Sequence, residues 1–123
     1  MITMEKNEGL TIFNVSGEVT AHDIIMHAVQ YLKEEPTESS IWDFTEATKL
    51  EITTLEMQGI ADSLKHVVKG DNIRKVALVG SKSINIGLGK VFGAFAQMAG
   101  LPYAYKSFRN TEDAVVWLEN ESI

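Results

Sequence analysis

The stretch KVALVGS, Lys75 to Ser81, decides the fold. Its four consecutive apolar residues, 76–79, lack the alternation of a half-exposed strand and suit one covered on both faces, at the centre of a sheet. Upstream of it, Met57, Ile60, Ala61, Leu64 and Val68 recur at three- and four-residue steps, which predicts a helix opening at Thr53-Thr54 and stopping near Gly70. Downstream, residues 85–99 are helical by pattern and YAYKSF (103–108) reads as a last strand. Residues 111–121 read as a closing helix with Glu112 and Asp113 near its positive end.

Towards the N-terminus, Ile2–Glu5 and Leu10–Val19 flank KNEG, a hairpin connection with Gly9 available for a positive φ. Thr20 to Glu34 reads as a helix. Ile24, Ile25, Ala28, Val29 and Leu32 form its apolar face, Thr20 and Asp23 cap its start, and Glu34, Glu35 and Pro36 close it. A short strand, Ser40–Phe44, follows and leads through a polar loop into the Thr53 helix. Such alternation of strands and helices implies an α/β domain with a largely parallel sheet and right-handed crossovers.

The 123 residues suit one domain, and 45% hydrophobic with 23% charged residues is the composition of a chain that folds alone. A net charge of -6 argues against nucleic acid, whose phosphates are neutralised by Lys and Arg. The densest basic stretch, Lys65, His66, Lys69, Arg74 and Lys75, straddles a helix end, where cations are favoured. Without cysteine there is no disulfide, thiolate nucleophile or Cys-ligated metal. The N-terminal stretch lacks a signal-peptide pattern and no apolar run approaches the ~20 residues of a membrane helix, so the expected location is the cytoplasm.

With the elements placed, LTIFNVSGEVTAHDI (10–24), SIWDFTEAT (40–48), KVALVGS and FRNTEDAVVWL (108–118) are similar to the bacterial SpoIIAA-like family. That family is a distant relative of the STAS domains of anti-sigma factor antagonists and sulfate transporters, and resembles CRAL-TRIO lipid-binding domains in fold. The resemblance runs over nearly the whole chain. It implies a mixed sheet of about five strands with about four helices, and it does not imply an enzyme.

STAS antagonists that act as switches carry a phosphorylatable Ser at the start of the helix after their second core strand, typically within Asp-Ser-Ser-Gly. The matching stretch is Ile52-Thr53-Thr54-Leu55, which makes Thr53 and Thr54 the phosphorylation candidates. A helix N-terminus holds a phosphate well, and the added charge would repel an acidic partner. The same residues also read as structure. Thr53 and Glu56 form a capping box, Ile52 and Met57 a hydrophobic staple, and Glu51 and Glu56 oppose an added phosphate. Asp43 ends its strand on the edge where open α/β sheets bind ligands, and is equally suited to hydrogen-bond the loop amides of 45–47.

INIGLGKVFGAFAQMAG, Ile84 to Gly100, is apolar almost all round. Leu88, Val91, Phe92, Phe95, Ala96 and Ala99 cover one broad face, and Ile86, Met98 and Leu101 extend it, leaving a narrow wet stripe at Lys90 and Gln97. Such a helix is buried against the sheet and Trp117 of the last helix, or covers something outside the core. The outside options are a homodimer contact, where Gly93 and Ala94 permit close approach, and a pocket walled by Phe92, Phe95 and Met98 for an apolar small molecule or lipid. Its glycines match neither phosphate-loop nor dinucleotide spacing.

His22 and His27 lie about 140° apart on a helix and cannot share a metal. Ser81 lacks both the second glycine of a nucleophile elbow and a His partner. No cofactor or metal is called for. The expected function is a non-enzymatic STAS-like domain acting by protein association, as a homodimer and with a regulatory protein partner. The alternatives are a small apolar-ligand or lipid module and a phosphorylation-switched antagonist.

Overall fold

A computed structural model describes residues 1–34, 36–68 and 74–120, apart from the side chains of 83–86. The expected helix stop at Gly70, Glu35, Lys69, Glu121 and the Ile86 side chain lie outside what it describes. In chain order the elements are β1 (Ile2–Asn7), β2 (Leu10–Val19), α1 (Ala21–Lys33), β3 (Ser39–Leu50), α2 (Thr54–Lys65), β4 (Lys75–Val79), α3 (Ser83–Met98), β5 (Ala104–Phe108) and α4 (Thr111–Glu119).

The strands stand in space in the order in which they occur in the chain, β1 antiparallel to β2 and all later neighbours parallel. Gly9, at φ 71°, turns the hairpin. Three crossovers then step in one direction. Right-handed crossovers that advance the same way put their helices on the same face, and α1, α2 and α3 accordingly share one side of the sheet, with α4 alone on the other.

Alternation along each strand sorts side chains between the two layers. Thr11, Phe13 and Val15 of β2, Trp42 of β3 and Val76 of β4 are buried towards the three-helix layer, and Ile41, Ala77 and Val79 towards α4. The apolar run of β4 is thus covered on both sides, although the middle place in the sheet belongs to β3, because the N-terminal hairpin adds two strands on its far side. Phe13 stacks on Trp42 at 4.1 Å and meets Tyr31 of α1 edge-on at 5.1 Å, which ties β2, β3 and α1 into one core.

Helix ends follow local chemistry. Thr20 and Asp23 form a reciprocal capping box, and the backbone and side-chain hydrogen bonds from Thr20 hold the Asp23 carboxyl below its ordinary range. Asn110 caps α4 by accepting from the Asp113 N–H at 2.8 Å. Lys75 Nζ donates to the Trp117 carbonyl (3.1 Å) and to that of Asn120, where cations complement a helix C-terminus. Helix α3 ends in a Schellman motif. Gly100, at φ 81°, donates to Gln97 O, and Leu101 donates to Ala96 O.

Two expectations change. The strand expected over Ser40–Phe44 runs on to Leu50, because β2 is ten residues long and offers a pairing edge well beyond Asp43, where pairing with the five-residue β4 stops. Two register shifts, between Asn14 and Ser16 and between Gly17 and Glu18 on β2, each give β3 one extra residue. They break the alternation by which a strand is recognised. Trp117, expected against α3, lies on the opposite face of the sheet, packed on Phe108 and beneath Lys75.

Candidate functional site

Thr53 is the N-cap of α2. Its hydroxyl accepts from the Glu56 N–H at 3.1 Å and its N–H donates to Glu56 Oε1 at 3.0 Å, a complete capping box. The pattern lies within four consecutive residues, which is why it is legible without knowledge of the fold. Thr54, one residue on, is exposed, and Leu55 beside it is 78% exposed. Replacing Thr53 by Ala should lower stability by about 1 kcal/mol through loss of the cap, whereas Thr54→Ala should change it by less than about 0.5 kcal/mol. Urea unfolding of the two variants checks this.

Asp43 Oδ1 accepts from the Thr45 N–H at 2.9 Å and from its hydroxyl at 2.6 Å. This places Asp43 at the first register shift of β3, where it satisfies an amide that the bulge removes from the ladder.

Helix α3 divides into two faces. Leu88, Gly89, Phe92 and Gly93 face the sheet: a Cβ at Gly93 would stand 3.6 Å from Tyr105 Cβ, and one at Gly89 only 2.5 Å from Ser107 Oγ. Gly93, expected beside Ala94 at an outer contact, is therefore turned inward, where it lets the helix lie close on β5. The outer face carries Val91, Ala94 and Met98, the last 80% exposed. Phe95 packs on the core, and Val91, expected on the inner face, points out. Ser107 Oγ is buried without a partner among the described residues. Ser107→Ala removes that orphan at little change of volume and should raise stability by about 1 kcal/mol, a gain thermal denaturation would register.

Between the three-helix layer and the sheet lies a cavity of about 100 Å³. Ile24, Ala28 and Leu32 wall it from α1, Met57, Ile60 and Leu64 from α2, Leu88 and Phe92 from α3, and Trp42, Leu78 and Tyr105 from the sheet. The space is partly open to solvent and is larger than the water-sized voids that ordinary packing leaves in protein interiors. Of the residues expected to wall a pocket, Phe92 does so, and Phe95 and Met98 do not. One corner is polar. Tyr31, Thr37, Arg74 and Tyr103 meet there, and burial pushes the Tyr103 hydroxyl up while the neighbouring Arg74 opposes the shift. Burial likewise pushes Tyr105 well above the usual tyrosine range.

With the sheet order and the α2 start in place, two solved structures align over nearly the entire chain. One is the anti-sigma factor antagonist SpoIIAA in its unphosphorylated form, at 13% identity and a TM-score of 0.58, covering 94% of each chain. The other is the Bacillus cell fate determinant SpoIIAA in its phosphorylated form, at 14% identity and a TM-score of 0.53, covering 97% of this chain and all of that one. The fold is SpoIIAA-like. No family model matches the sequence, and neither does any curated protein sequence at a significant level.

At this identity the likeness to SpoIIAA is one of architecture, a five-stranded mixed sheet with four helices among the described residues. Within the SpoIIAA-like fold, the cavity and its polar corner escape a reading of the sequence. Arg74 belongs there to a basic stretch at a helix end, and nothing local signals that its Nη1 donates to the carbonyls of Pro36 (3.1 Å) and Thr37 (2.6 Å). Among the described residues no group of three or more His, Asp or Glu is placed to hold a metal, and no helix is long and apolar enough to cross a membrane.

Proposed function

We propose that this chain is a non-enzymatic, STAS-like regulatory domain of the bacterial cytoplasm that works through protein association. What supports the reading is the outer face of α3, where Val91, Ala94 and Met98 form an exposed apolar stripe on a fold shared with an anti-sigma factor antagonist. A second copy of the chain is the partner assigned to this stripe, because the small Ala94 between two large apolar groups lets like helices approach closely. The regulatory partner meets the start of α2. There the exposed Thr54, whose hydroxyl is not committed to the cap, is the assigned position for any phosphate.

Sedimentation tests the association. The wild-type protein should sediment as a dimer and Met98→Asp as a monomer with an unchanged melting temperature. A wild-type protein that stays monomeric at high concentration would sink the reading.

The cavity favours a second reading, the binding of a small apolar molecule between α2 and the sheet. Its walls are hydrocarbon over most of their extent, with a few convergent polar groups at one end, the usual composition of a ligand pocket.

A further inference from the structure

The polar corner of the cavity is built from groups that satisfy one another, with one exception. The Thr37 hydroxyl donates to the Ser39 carbonyl at 2.7 Å, which leaves it to accept from the hydroxyls of Tyr31 (3.0 Å) and Thr11 (2.8 Å). Tyr31 in turn accepts from the Thr37 N–H at 2.9 Å. Arg74 spends Nη1 on two backbone carbonyls and its guanidinium also meets the Tyr103 hydroxyl, but its Nε–H is buried and has no partner among the described residues. Among the described residues no carboxylate lies within ion-pairing distance of it. A guanidinium therefore stands in the polar corner of a mostly apolar space. Leaving such a donor buried and unpaired is unfavourable, and more so for a charged group.

We propose that the cavity binds a small monocarboxylic acid, its carboxylate at the Arg74 guanidinium beside Tyr103 and its hydrocarbon body between α2 and the sheet. This rests on the second reading above and adds a head group to it. One cation balances one negative charge; a doubly charged phosphate would leave charge uncompensated in apolar surroundings. A carboxylate accepting from a guanidinium makes a charge-assisted hydrogen bond, the strong kind.

The size of the space sets the body. A cavity of about 100 Å³ is of the order of the engineered one of roughly 150 Å³ that takes up benzene, so it suits one ring or a chain of a few carbons. Direction follows from the strands. Arg74 and Tyr103 immediately precede β4 and β5, whereas Leu50 and Ile52 lie at the opposite end of the pocket, where β3 runs out. The ligand thus lies along the strands with its head at their N-terminal edge, the edge away from Asp43 and Thr54.

Calorimetric titration of the full chain with benzoate and hexanoate, set against toluene and hexan-1-ol, tests this. The carboxylates should bind at least tenfold more tightly than their neutral counterparts and raise the melting temperature. Arg74→Lys should weaken carboxylate binding tenfold or more while leaving the neutral compounds unaffected. Because Arg74 also braces two carbonyls, its substitution can unfold the protein, so a second measurement uses the wild type. The Nε–Hε resonance of Arg74 should shift on adding benzoate and stay fixed on adding toluene. If no compound of either series binds, the apolar-ligand reading itself fails, and this inference with it. Equal binding of acids and neutral compounds, or an Arg74 resonance indifferent to benzoate, leaves the cavity a ligand site and overturns the assignment of a carboxylate.

Discussion

Phe13→Ala should lower the free energy of unfolding by about 3–5 kcal/mol, the range for removing a buried aromatic ring. Phe13 is 1% exposed and stands between Trp42 and Tyr31, so its loss opens a void bordered by three elements that cannot all collapse into it. Domains of this size are stable by only about 5–15 kcal/mol, and the variant should be partly unfolded at temperatures the wild type tolerates. Phe13→Leu keeps most of the volume and should lose less than half as much. Ile12→Ala, one position along and on the α4 side of β2, deletes a half-buried side chain and should also cost less than half as much. Urea titration followed by tryptophan fluorescence orders the three. A Phe13→Ala variant as stable as Ile12→Ala would mean that the stack at 4.1 Å is not the centre of the core.

Gly17→Ala is the second large effect, and its origin is different. A methyl group at Gly17 meets nothing within 4 Å, so no clash contributes. The backbone there has φ 69°, a conformation that an L-residue adopts at a cost of about 1–2 kcal/mol. The glycine lies between the two register shifts that let β3 follow β2 as far as Leu50. Gly17→Asn should cost less than Gly17→Ala despite its larger side chain, because asparagine tolerates the left-handed region. If alanine were the milder substitution, steric contact rather than backbone conformation would govern this position.

These two sites mark what was legible in the sequence and what was not. Patterns that close within a few residues, such as the capping boxes at Thr20 and Thr53, the hairpin glycine and the doubly covered run of β4, stand in the structure as the sequence reads. The length of β3 does not, because Phe44–Leu50 is polar and irregular, and only the partner strand makes it a strand. For α3 the all-round apolarity is legible, but the assignment of Gly93 to the inside and Val91 to the outside depends on how closely the helix sits on β5. Least legible is the cavity. It exists because of what three helices and a sheet leave unfilled between them, and the donor in its wall is fixed by carbonyls 37 and 38 residues earlier in the chain.

Strand order bears on how the molecule comes into being. Since every strand lies next to its predecessor in the chain, each parallel pair closes over a single helical crossover, between residues 29–36 positions apart, and the ends of the sheet need never search for one another. A polypeptide emerging from the ribosome N-terminus first can lay down such a sheet edge by edge, adding one helix-backed strand at a time. The last to join are β5 and α4, and with α4 the second face of the sheet is closed.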